Sequence, residues 1–207
     1  MTSPSPHIER LLLAGGAGNI EVVIHIPETP NGVAVIAHPH PLFSGTMDNK
    51  VVTTLVKACN EMGLAAVRFN FRGVGASEGV HDEGQGEIED TLEVVNYARA
   101  RFPAGSLTLA GFSFGGAVML RVNQRVSADG LILIAPAMTQ RFGGEVPPDA
   151  NPNTLVIHGE SDETVPLISI LDWARPQGLP IVVFPGGEHF FHGQLTILKK
   201  IVTNWLR

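Results

Sequence analysis

Along this chain, short apolar runs alternate with stretches in which apolar residues recur every three or four positions. Residues 33–37, 64–71, 107–111, 131–135, 155–158 and 181–184 are apolar with little interruption, the pattern of strands covered on both faces. Residues 48–62, 87–102, 114–124, 165–174 and 195–205 carry the helical period. Gly63 stops the first of these, and Pro103 lies just beyond the second, which has Glu87, Glu89 and Asp90 in its first turns and Arg99 and Arg101 in its last. That distribution of charge complements the helix dipole. Ahead of them, the β-prone runs 8–13 and 20–26 flank Ala-Gly-Gly-Ala-Gly-Asn at 14–19, which predicts an antiparallel hairpin.

A hairpin followed by strand and helix in alternation predicts an α/β fold over 1–207 as one domain. Its sheet is mostly parallel, with right-handed crossovers and helices on both faces. The one long connection without periodicity, 138–153, is rich in Gly and Pro. At about 16 residues it can border a site as a loop but is too short for a lid domain.

Composition narrows the function classes. With 44% apolar and only 16% charged residues the chain can bury a full core, which excludes disorder driven by charge. A net charge of −6, with 14 Lys and Arg that nowhere gather into a patch, argues against a nucleic-acid partner. The lone cysteine, Cys59, excludes an intrachain disulfide and a multi-cysteine zinc site, and reads as a packed thiol. No apolar run approaches a membrane span, and residues 1–10 lack the basic start of a secretory signal. A cytoplasmic protein is expected, as monomer or homodimer.

The sharpest chemical signal is Gly111-Phe112-Ser113-Phe114-Gly115, a G-x-S-x-G between an apolar strand and a helix. A serine hydroxyl needs a base to become a nucleophile, and must project from a tight turn where base and substrate both reach it. The spacing arises by accident in roughly one such chain in ten. Its place at the carboxyl end of a central strand, where ligands collect in such sheets, makes accident a poor account.

The partners of a nucleophilic serine follow in the order acid, then histidine. After the strand ending at His158, Asp162 stands in Gly-Glu-Ser-Asp-Glu-Thr-Val-Pro at 159–166, with Glu160 and Glu163 as alternative acids. After the last strand, Pro-Gly-Gly-Glu-His-Phe-Phe-His at 185–192 offers His189 as base and His192 as the alternative. For the oxyanion, one donor is the amide after the nucleophile, Phe114. The second comes from the loop at 38–45, where Pro39 and Pro41 have no N–H, leaving His40 first and Leu42 second. No acid-histidine pair follows His38 and His40 closely, so neither a metal nor another cofactor is expected. In the Gly-rich segment 72–79, Arg72 is expected to anchor the loop through a carboxylate.

These loops together resemble the α/β-hydrolase superfamily from about residue 30 onward. More narrowly, HPHPLFSGTMDNKVV at 38–52 and RFNFRGVGASEG at 68–79 look like the small, lidless bacterial hydrolases similar to carboxylesterases and dienelactone hydrolases. The resemblance implies the α/β-hydrolase fold with Ser113 as nucleophile, Asp162 as triad acid and His189 as base.

The expected activity is hydrolysis of small carboxylic esters or thioesters through an acyl-enzyme. A shallow pocket bordered by Leu42, Phe43, Phe112, Phe114, Met138, Phe142 and Phe190 is expected to favour short or medium acyl groups. Acyl transfer on the same triad, and a non-catalytic scaffold that binds a ligand or partner, are the competing readings.

Overall fold

The structure, a computed structural model, describes residues 6–139 and 145–207. Strands β1 (His7–Gly15) and β2 (Gly18–Ile26) form the predicted hairpin, longer than its apolar runs because pairing continues until Gly15 faces Gly18. There follow β3 (Gly32–Ala37), α1 (Lys50–Glu61), β4 (Leu64–Phe69), α2 (Gln85–Arg101), β5 (Ser106–Phe112), α3 (Phe114–Val126), β6 (Gly130–Ile134), β7 (Thr154–Gly159), α4 (Leu167–Ala174), β8 (Ile181–Phe184) and α5 (Leu195–Trp205). Each predicted helix and strand after the hairpin is present, with ends shifted by at most two residues.

The strands form one eight-stranded sheet in the order β1-β2-β4-β3-β5-β6-β7-β8. β2 runs antiparallel to β1 and β4, and the remaining pairs are parallel. Alternation along each central strand divides the core in two. Val33, Val35, Leu107, Leu109, Leu131 and Leu133 pack with residues of α2 and α3, while Ala34, Ile36, Ala110, Phe112, Ile132 and Ile134 pack with residues of α1 and α5. Both sheet faces are dry, which is why the sequence shows unbroken apolar runs instead of alternation.

Local chemistry fixes the helix ends beside the site. Asn49 caps α1 by accepting from the Val51 amide at 2.8 Å. Glu87, fully buried, accepts from the amides of Gly84 (2.8 Å) and Asp82 (3.0 Å) at the start of α2. One turn on, Asp90 receives Arg72 as a fork, Nε at 2.8 Å and a terminal nitrogen at 2.9 Å, the strong bidentate pairing. Arg72 also donates to the Gly86 carbonyl at 2.8 Å, tying the 72–79 segment to α2 as expected. Among the described residues, no helix is long and apolar enough to cross a membrane.

Candidate active site

The loops after β3, β5, β7 and β8 meet at the carboxyl ends of the parallel strands. Between β5 and α3, Ser113 takes φ 55° and ψ −118°, a conformation that costs a non-glycine residue roughly 1–3 kcal/mol and is held only where its surroundings insist. They do so here. The Ser113 amide donates to the Ile134 carbonyl at 2.9 Å, and its own carbonyl accepts from Ala137 at 3.0 Å and Ala117 at 3.2 Å. The turn tolerates no side chain on either side: a Cβ on Gly111 would lie 2.4 Å from the Gly115 carbonyl oxygen.

Asp162 sits in the turn after β7. Its Oδ1 accepts from the amides of Thr164 (2.9 Å) and Val165 (2.7 Å), and its Oδ2 accepts from His189 Nδ1–H at 2.6 Å. With that nitrogen donating, Nε2 is left as acceptor, and it lies 3.0 Å from Ser113 Oγ. The three side chains are buried. Burial alone would raise the Asp162 pKa; the His189 hydrogen bond, the Val165 amide and the nearby imidazoles outweigh it, and the carboxyl titrates below its usual range.

The alternatives lie elsewhere. His192 is exposed and pairs with Glu188. Glu160 accepts from the Gly186 amide at 2.8 Å, bracing the loop that carries His189, and Glu163 is exposed. The Cys59 thiol is fully buried, which pushes its pKa up to about 12 and makes it a poor rival nucleophile.

On the opposite side of Ser113 stands the 38–45 loop. Pro41–Phe43 form a single 3-10 turn. The Leu42 amide donates to His40 Nδ1 at 3.2 Å, so the second of the two oxyanion donors expected here is already engaged. The His40 carbonyl accepts from Phe43 and Gly45, both at 3.1 Å, whereas its amide donates to no acceptor among the described residues. Burial and the neighbouring His81 lower the His40 pKa, which favours the neutral ring that receives Leu42. That ring rests 4.7 Å from the Phe114 ring at the start of α3.

Of the residues expected around the pocket, Phe43 (82% exposed), Leu42 and Phe190 form an apolar rim. Phe112 does not: it is fully buried, because it is the face of β5 turned towards α1 and α5, and lies against the His189 ring at 4.9 Å. Its place is support for the imidazole. Met138 and Phe114 are almost completely buried, and Phe142 lies outside the described residues. Beside Phe190, a cavity of about 300 Å³ opens between the two loops, lined by Ser44, Thr46, Asn49, Lys50 and His192. Its polar wall was not anticipated from the apolar residues.

Two further histidines are buried and hold backbone beside the site. His38 Nδ1–H donates to the Pro39 carbonyl at 2.6 Å and Nε2 accepts from the Phe71 amide at 3.0 Å, so the ring staples the 38–45 loop to the end of β4. Burial lowers its pKa to about 4. His158, inside β7, donates Nε2–H to the Val165 carbonyl at 2.8 Å. The only sequence sign of either was a histidine ending an apolar run.

A serine strained on a strand-to-helix turn of a mostly parallel sheet, hydrogen-bonded to a histidine and through it to an aspartate, defines an α/β hydrolase of the serine type, and so an enzyme. Within that class the chain belongs to the serine aminopeptidase, S33, family, whose model matches residues 41–149. An α/β serine hydrolase without lid from Xanthomonas campestris is similar at 35% identity and a TM-score of 0.91, over 100% of this chain and 97% of that one. An α/β serine hydrolase homologue from Coxiella burnetii is similar at 39% identity and a TM-score of 0.89, over 96% and 97% respectively. An uncharacterised protein of Rickettsia prowazekii (strain Madrid E) is 28% identical, over 93% of this chain and 86% of its own length.

Proposed function

We propose that the protein is a serine esterase that cleaves small carboxylic esters or thioesters through an acyl-enzyme. Ser113 is the nucleophile, His189 the general base and then acid, and Asp162 the carboxylate that orients it. The observation that carries this reading is the unbroken hydrogen bonding from Ser113 Oγ to His189 Nε2 (3.0 Å) and from Nδ1 to Asp162 Oδ2 (2.6 Å).

As Oγ attacks the substrate carbonyl carbon, Nε2 takes its proton. The imidazolium that forms faces a carboxylate already held by two amides, so its charge is met without rearrangement. The carbonyl oxygen gains the negative charge between the amides of Phe114 and His40. Each such donor contributes about 2.7–4 kcal/mol to the transition state. Collapse expels the alcohol or thiol with the proton from Nε2, and water repeats the sequence on the acyl-enzyme.

The family description raises peptide amines as a second substrate class. An aminopeptidase needs an anion for the free amine of its substrate. At this rim Glu188 is paired with His192 and Asp48 with Arg68, and the exposed surface is apolar at Leu42, Phe43 and Phe190, which favours the ester. Assays on 4-nitrophenyl acetate and butyrate beside amino-acid 4-nitroanilides test this. The expected result is ester cleavage that falls by at least roughly 10³-fold in Ser113→Ala; full activity in that variant, or a strong preference for the anilides, overturns the reading.

A further inference from the structure

We propose that His158 is a positioning residue whose Nε2–H grips the turn bearing Asp162 and so holds the carboxylate in the orientation His189 requires. The inference rests on the triad reading above. His158 is fully buried in β7, and its Nε2 lies 2.8 Å from the Val165 carbonyl oxygen and 3.5 Å from Asp162 Oδ2. A carbonyl only accepts, so the proton is on Nε2 and Nδ1 is bare. Nδ1 has no hydrogen-bond partner among the described residues. An apolar ring would fill the same space without desolvating that nitrogen, so what imidazole contributes here is the Nε2–H.

That donor acts on a turn already closed on itself. Val165 gives its amide to Asp162 Oδ1 at 2.7 Å and offers its carbonyl to His158 at 2.8 Å, so residue 165 is held at both ends of its backbone. The carboxylate is therefore fixed at Oδ1 by the turn and flanked at Oδ2 by two imidazoles, His189 at 2.6 Å and His158 at 3.5 Å. The turn in turn meets the histidine loop: the Ser161 amide donates to the Gly187 carbonyl at 2.8 Å. Burial lowers the His158 pKa, against the opposing pull of its Val165 hydrogen bond and Asp162, while the nearby His189 lowers it further. His158 thus stays neutral, a fixed dipole beside a carboxylate, while His189 carries the proton.

Kinetics of wild type, His158→Phe and His158→Gln on one nitrophenyl ester across pH test the role, with active sites counted by fluorophosphonate titration. In His158→Phe, kcat is expected to fall about tenfold with KM within about twofold. The acid limb should move to lower pH, because a carboxylate no longer held in place against His189 Nδ1 stabilises the imidazolium less. His158→Gln, which keeps an N–H at similar reach, should recover most of the rate. A lowered melting temperature with unchanged kcat per active site and an unchanged acid limb overturns the positioning role alone. A wild type that neither cleaves esters nor takes the label overturns the triad reading, and this proposal with it. Should His158→Phe fail to fold, the imidazole ¹H–¹⁵N spectrum of the wild type decides: a proton kept on His158 Nε2 while His189 titrates supports the role, and a proton on Nδ1 or protonation alongside His189 overturns it.

Discussion

Gly115 is packed so closely against His38 that a Cβ on it would lie 2.4 Å from the His38 carbonyl oxygen. The turn bearing Ser113 and the loop bearing His40 are thus one packed unit, and their separation sets the width of the space in which an oxyanion would sit. Gly115→Ala must push the two apart. Overpacking of this kind costs roughly 1–3 kcal/mol of stability. The larger effect is expected on kcat, which should fall at least tenfold because donor placement is sensitive to shifts of about 1 Å. Thermal unfolding and steady-state kinetics on the same sample check both.

His38 ties stability to acid. Its folded pKa, about 4, lies below the ordinary 6.5 because the ring is buried. Its contribution is therefore complete above pH 6.5 and is lost as pH falls from 6.5 towards 4, where the unfolded chain takes up a proton that the folded one refuses. At about 1.4 kcal/mol per unit, the loss amounts to roughly 3 kcal/mol. Burial depresses His25, His40 and His158 in the same direction. Urea unfolding at pH 7 and pH 4.5 should show a steep drop for wild type and a shallower one for His38→Gln; equal drops would contradict this role.

The two histidines of the 185–192 loop should separate cleanly. His192→Ala removes an exposed pair with Glu188, worth at most about 1 kcal/mol, and ester hydrolysis should stay within about threefold of wild type. His189→Ala removes the contact to Ser113 and should cost at least roughly 10³-fold in kcat. Comparable losses in both variants would reopen the choice of base.

How far the sequence alone reaches differs from residue to residue. G-x-S-x-G is legible because strained turns restrict composition so strongly, and the loops of Asp162 and His189 are legible because each follows an apolar run. The order of strands is not: 33–37 and 64–71 are equally apolar, and nothing in them says that β4 lies between β2 and β3. Phe112 was misplaced in the pocket for a related reason, since a strand buried on both faces loses the alternation that would reveal which way each side chain points. The partners of His38 and His158 were not legible, because each depends on where the chain brings a carbonyl, Pro39 by a turn and Val165 by the Asp162 loop.

The rim sets an expectation for substrate size. Phe43, Leu42 and Phe190 are exposed, whereas Phe112 and Met138 are buried in the core, so acyl chains beyond the medium range would extend over the surface without further burial. Across nitrophenyl esters of increasing chain length, kcat/KM should peak at short or medium acyl groups. A maximum at long chains would show that apolar surface other than this rim binds the acyl group.

The central claim is that Ser113 is a nucleophile activated by His189, and covalent labelling tests it most directly. Intact-mass analysis after treatment with a fluorophosphonate should show a single adduct, mapped by peptide digestion to Ser113, and absent from Ser113→Ala. Folded wild-type protein that stays unmodified, or that carries the adduct on another residue, would contradict the account.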